Sequence, residues 1–173
     1  MTSAPSRRAQ APSIDIQVQS PLWQAEPAAA QTVRAAIAVA ASTLSTADGE
    51  VAILLTGDKA IRALNRQWRG IDKPTNVLSF PAAVTTASIG AKFFGDIVIA
   101  YETLKRECDD EKRIFLHHLA HLAIHGFLHL IGYGHEVDAE AGEMEGLESK
   151  IMMHMNLPDP WLGRHLDREL GGA

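Results

Sequence analysis

The stretch "HGFLHLIGYGH", residues 125–135, restricts the fold of this chain more than any other. It carries His125, His129 and His135 at offsets of zero, four and ten, with Gly132 at offset seven, inside an otherwise apolar run. Residues four apart on an α-helix stand one turn above each other, so His125 and His129 project from one face. At that spacing two imidazole nitrogens can share one ion at about 2.0–2.1 Å. Gly132 can adopt positive φ, break the helix and let "YGH" turn back, which delivers His135 from the side. Three nitrogens leave the fourth tetrahedral position open, and an open position distinguishes a catalytic zinc from a structural one. The chain must therefore form a long helix, about 110–131, that Gly132 ends.

The spacing resembles the metzincin protease signature H-E-x-x-H-x-x-G-x-x-H. Gly126 stands where that motif has its glutamate general base, so the metal site is kept and the proteolytic chemistry is not. Any one of these histidines alone is more often a packed or surface residue bonded to backbone or water; the trio with its glycine points to a metal. His117 and His121 continue the four-residue ladder upstream but drift around the helix axis. His121 is the candidate for an outer role behind the ligands, while His118, His154 and His165 read as surface or packing residues.

The rest of the chain alternates strand and helix signals. "SIDIQVQ" (13–19) has period two and predicts a strand with one buried face, and "EVAILLT" (50–56) is a short apolar run between turn signals. An alanine-rich helix is expected from about 27 to 44, with Val33, Ile37 and Val39 available to the core. A second helix follows over "KAIRALNRQWRG", capped by Asp58 and stopped by Gly70. A third short strand lies within 73–81 between two prolines, and a fourth, "DIVIA", spans 96–100 after a flexible loop. A last helix, about 138–155, carries Ala141, Met144, Leu147 or Glu148, Ile151 and Met155 at helical steps, a methionine stripe that reads as core packing. The expected architecture is α+β (mixed α/β): one domain with a small four-stranded mixed sheet covered by helices, and the zinc site on the long helix and its following turn. Residues 1–12 are expected to be a disordered tail, 13–156 the domain, and 157–173 a loose C-terminal tail.

With 173 residues, 46% of them hydrophobic, the chain can bury a real core in one domain. A single cysteine, Cys108, excludes an internal disulfide and a multi-thiolate metal site and fits a reducing cytoplasm. The N-terminus lacks an apolar leader segment, and no run approaches the roughly 20 apolar residues of a membrane span. The net charge of -5 opposes global attraction to nucleic acid. Charge is nevertheless uneven. Residues 57–74 hold five basic and two acidic side chains, and Arg62, Arg66 and Arg69 fall at offsets of zero, four and seven, with Lys73 following. A local excess of this kind can bind a phosphate backbone. Residues 136–148 carry six acids and no base, expected as a solvated face that repels RNA from the wrong side.

Two blocks, "NRQWRGIDKPTNVLSFP" (65–81) and "HLAIHGFLHLIGYGHE" (121–136), with "GDIVIA" (95–100) between them, resemble the YbeY endoribonucleases, bacterial rRNA maturation factors. The resemblance covers about residues 13–156. It implies one zinc ion per chain held by His125, His129 and His135 and a catalytic arginine at Arg69, while Arg66 and Lys73 are RNA-binding candidates from the local basic charge. It further implies a single-strand-specific, metal-dependent endoribonuclease acting in 16S rRNA maturation and ribosome quality control. Its partners would be single-stranded RNA, rRNA, the small ribosomal subunit and ribosome-assembly proteins, in the cytoplasm and without a membrane. The family usually has aspartate before the third histidine; here Gly134 takes that place, and Glu136 is a candidate substitute. A zinc site of this kind supplies an acidified water near neutrality, and an arginine fork suits the non-bridging phosphate oxygens. The alternatives are a non-catalytic ribosome-assembly factor with structural zinc, or another zinc hydrolase.

Overall fold

Period-two burial builds the sheet. The computed structural model describes residues 11–46, 48–83, 92–134 and 136–163. Within it β1 (Ser13–Val18), β2 (Gly49–Thr56), β3 (Val77–Pro81) and β4 (Lys92–Ala100) form one sheet in the order β1-β2-β4-β3. β1 runs parallel to β2 and β2 to β4, while β3 closes one edge antiparallel to β4. Successive side chains of a strand point to opposite faces. Val51, Ile53, Leu55, Ile97 and Ile99 accordingly enter the main core on one face, and Leu54, Leu78, Val98 and Ala100 form a smaller apolar cluster on the other. This is the mixed four-stranded sheet that the order of sequence elements predicts.

Helices cover both faces unequally. α1 (Ala29–Thr43) and α2 (Asp58–Arg69) follow β1 and β2, then α3 (Tyr101–Glu111), α4 (Phe115–Leu130) and α5 (Asp138–His154) follow β4. α1, α4 and α5 pack into the main core through residues such as Ile37, Ile124, Phe127 and Ile151, all fully buried, whereas α2 brings Ile61 to the smaller cluster. Val33 and Ile37 lie in the core as their spacing requires, but Val39 is only partly buried. The methionine stripe of α5 is core packing, with Met144 and Met152 each 2% exposed. Among the described residues no helix is long and apolar enough to cross a membrane.

Two expectations need correction. The long helix expected over about 110–131 is α4, which begins only at Phe115; the chain before it forms a separate helix, α3, that ends where Lys112 adopts a left-handed φ of 53°. The overlooked signal is Tyr101, Leu104 and Cys108 at helical spacing, which turn inward beneath an otherwise charged sequence. Asp58 does not cap α2, because Gly57 occupies that position. Its carboxylate instead accepts the Thr103 amide at 3.0 Å, at the start of α3, while Glu102 Oε2 accepts the Asp58 amide at 2.9 Å. Each helix thus satisfies an otherwise unpaired N-terminal amide of the other.

Part of the C-terminal stretch expected to be loose folds back on α5. Asp159 accepts hydrogen bonds from the Ser149 hydroxyl at 2.7 Å and the Trp161 amide at 2.9 Å. Residues 1–10, 84–91 and 164–173, which hold most of the expected N-terminal tail, most of the expected flexible loop and His165, lie outside the described residues, as do Ala47 and His135.

Candidate metal centre and cleft

The end of α4 is shaped by Gly132. Its φ of 105° lets the Gly132 and Tyr133 amides turn back to the carbonyls of His129 and Leu128, at 3.2 and 3.0 Å. This paired-bond helix terminus reverses the chain. The reversal carries the Tyr133 carbonyl over His129, whose Nδ1 donates to it at 2.9 Å. One turn earlier, His125 Nδ1 lies 2.5 Å from Glu148 Oε1.

Both acceptors dictate the tautomers. Glu148 is 1% exposed; burial pushes its carboxyl upward, and the hydrogen bonds from His121 and His125 together with their charges outweigh burial and hold it at about 2. It is therefore an ionised acceptor, as the Tyr133 carbonyl is a neutral one, so both Nδ1 atoms carry the proton. The two Nε2 atoms face each other at 3.1 Å. Once both rings are neutral their lone pairs converge there, and a proton or a cation is needed between them. Nitrogens each 2.0–2.1 Å from one tetrahedral ion stand about 3.3 Å apart, so the pair fits a zinc ion. The third histidine of the motif, His135, lies outside the described residues, among which no group of three histidine, cysteine or carboxylate side chains gathers to hold a metal.

Glu148 organises the layer behind. Its Oε2 also accepts His121 Nε2 at 3.0 Å and Trp161 Nε1 at 2.7 Å. His121 thus shares the Glu148 carboxylate with His125. His118 is a buried packing residue with a partner, its Nε2 2.8 Å from Glu107 Oε2. Glu148 and Trp161 were not singled out by sequence. The available signal was Glu148 on the apolar stripe of α5, since a carboxylate at a core position must have partners.

In front of the two imidazoles lies a cleft of about 850 Å³. The edge strand β3 forms one wall through Val77, Ser79 and Pro81, and Arg69, at the end of α2, stands in the same cleft. Among the described residues no hydrogen bond or ion pair holds the Arg69 guanidinium. Arg66 and Lys73 do not line this cleft. Arg66 flanks a separate groove beside Arg62 and Asp72, which pair through two hydrogen bonds of 2.9 and 3.1 Å. The exposed Lys73 offers its carbonyl to the buried Asn65 side chain at 2.8 Å. The acidic stretch corrects a further expectation: Glu136, Glu140 and Glu143 line the cleft itself, and Glu145 and Glu148 are buried. A Cβ on Gly134 would stand 3.1 Å from Glu140 Oε2, so a carboxylate from α5 already fills the space beside that glycine.

Gly126 has a packing reason. A Cβ there would meet Ile97 Cγ2 at 2.9 Å and Ser79 Oγ at 3.1 Å, and the Ser79 hydroxyl donates to the Gly126 carbonyl at 3.1 Å. The position faces the sheet, where the helix approaches too closely for a side chain. A protease-like glutamate has no room at this point.

Fold and cleft together define a class: a small mixed-sheet domain in which a histidine helix and an arginine-ended helix meet beside the edge strand. The sequence model for the family described as Endoribonuclease YbeY matches residues 15–156. A protein named Endoribonuclease YbeY from Bradyrhizobium sp. (strain BTAi1) is 50% identical over 159 residues, covering 88% of this chain and 94% of its own. One of the same name from Nitrobacter hamburgensis is 53% identical over 156 residues, covering 87% and 82%. The solution structure of TM1509 from Thermotoga maritima shares the fold, with a TM-score of 0.52 at 22% identity over 83% of this chain and 91% of that one. The chain belongs to the YbeY endoribonuclease family.

Proposed function

We propose that this protein is a single-strand-specific, zinc-dependent endoribonuclease acting on rRNA of the small ribosomal subunit, in its maturation and in ribosome quality control in the cytoplasm. Family membership supports the reaction class, and the facing Nε2 atoms of His125 and His129, 3.1 Å apart, are the observation that carries the metal. His125, His129 and His135 would hold one zinc ion. Bound there, zinc supplies an acidified water near neutral pH and neutralises charge developing on phosphate.

The chain's own groups do the rest. Glu148 and the Tyr133 carbonyl fix the two rings so that both Nε2 atoms face the cleft. Arg69, in the same cleft, offers a planar fork to the non-bridging oxygens of the scissile phosphate. Glu136, Glu140 and Glu143 repel the RNA backbone and confine it to the side of β3 and Arg69. Arg66 and Lys73, outside the cleft, would contact phosphates further along the strand.

The test uses metal-loaded protein and single-stranded rRNA fragments. Arg69→Lys should keep zinc content and folding while cutting cleavage more strongly than binding, since a transition-state contact acts directly on rate. His129→Ala should lose both metal and cleavage. A wild type that never cleaves RNA, with Arg69 affecting only ribosome association, would establish the alternative of an assembly factor with structural zinc.

A further inference from the structure

On the face of the sheet opposite α4, α2 leaves part of the surface uncovered. The pairing register puts Asp15, Ala52, Asp96 and Phe80 in one row across all four strands. This row floors a second pocket of about 700 Å³, walled by Trp68 of α2. Trp68 is 64% exposed, and its ring lies 6.0 Å from that of Phe80 at a 60° tilt. A large aromatic left in water beside a concave floor that combines the Phe80 ring with two carboxylates is an unusual surface feature, and it marks a recognition surface.

We propose that this pocket is a nucleobase subsite for the RNA strand whose phosphate lies against Arg69, with Trp68 as the stacking surface. The inference rests on the RNA reading above. Three observations select the occupant. The pocket adjoins the metal cleft across β3, because Ser79 and Pro81 of that strand line both, and consecutive residues Trp68 and Arg69 serve one each. A strand crossing β3 can therefore place a phosphate on one side and the neighbouring base on the other. The second observation is aromatic: every base has a π-face, and single-strand binding proteins combine a backbone-tracking cation with such platforms. The third is charge. Asp15 and Asp96 have no hydrogen-bond or ion-pair partner among the described residues. Carboxylates repel phosphate and accept only, so they fit the N–H donors on a base edge.

The experiment measures binding of the metal-loaded full chain to a labelled single-stranded RNA of roughly ten nucleotides, and to versions with one abasic nucleotide moved along the strand. Loss of a stacked base should weaken wild-type binding by about 5- to 100-fold at one position only. Trp68→Ala should show that loss already on intact RNA and gain no further penalty from the abasic nucleotide, while Trp68→Phe should recover most of the affinity. Because Trp68 is largely exposed, the unfolding transition of Trp68→Ala should match that of the wild type. Equal wild-type affinity for intact and all abasic strands, or an unchanged abasic penalty in Trp68→Ala, would overturn the subsite while leaving RNA cleavage standing. Failure of the wild type to bind or cut intact RNA would sink the RNA reading itself, and the subsite with it.

Discussion

Gly126 and Glu148 show how single residues set the site. The absent side chain at Gly126 lets α4 sit directly on Ile97 and Ser79. Gly126→Ala should therefore destabilise the protein by about 1–3 kcal/mol through overpacking, despite the better helix propensity of alanine. Urea denaturation with an unchanged slope would check this, and a midpoint equal to that of the wild type would contradict it. Glu148 is a positioning residue: its two oxygens receive His125, His121 and Trp161. An amide can accept through one atom only, so Glu148→Gln leaves at least one of these donors without its acceptor. Zinc affinity should fall about 10- to 100-fold in competition with a chelator. Unchanged competition curves would show that the carboxylate does not steer His125.

At the scale of elements, Glu107 ties three of them together. On α3, it accepts Asn76 Nδ2 at 3.0 and 3.1 Å, just before β3, and faces His118 of α4. Asn76 in turn accepts the Val77 amide at 2.7 Å and borders the cleft, so the edge strand is pinned to both helices through one carboxylate. Burial pushes the Glu107 carboxyl upward, and the hydrogen bonds from His118 and Asn76 outweigh it, leaving the group below its ordinary value of 4.5. A carboxyl with a depressed folded pKa contributes stability that is complete above the unfolded value and is lost as pH falls below it. Glu107→Gln should cost about 1–2 kcal/mol at neutral pH. It should also flatten the acid limb of the stability profile below about pH 4.5. A profile parallel to that of the wild type would remove Glu107 from this role. The separate helix α3 belongs to the same scale: Leu104 and Cys108 were legible as an apolar face, but the charged residues around them masked it.

For the whole molecule, charge is distributed against indiscriminate RNA binding. The chain carries -5 overall, Arg62 is paired to Asp72, and the cleft sets Arg69 opposite Glu136, Glu140 and Glu143. Few phosphates can then be neutralised at once. The affinity for single-stranded RNA should fall with salt at a logarithmic slope of about -1.4 to -2.1, corresponding to two or three phosphate contacts. Titrations at several salt concentrations would measure it, and a slope steeper than about -4 would mean a far more extensive basic surface.

What the sequence determined by itself is what local periodicity encodes. Period two specified β1 and short apolar runs between turn signals specified the other strands, alanine and apolar spacing specified α1, and the four-residue step of His125 and His129 put both imidazoles on one helix face. Gly132 announced the helix end because few other residues adopt its φ. Tertiary structure alone decided which distant groups meet these elements. Nothing in the spacing of Arg62, Arg66 and Arg69 says that only Arg69 turns into the cleft, since that depends on where α2 ends relative to β3. The acids of 136–148 read as one charged face, yet helix packing sends Glu148 into the core, Glu140 beside Gly134 and Glu143 to the cleft wall. Local patterns record which face a residue occupies; the partner across that face is chosen by long-range packing, which no short window of sequence contains.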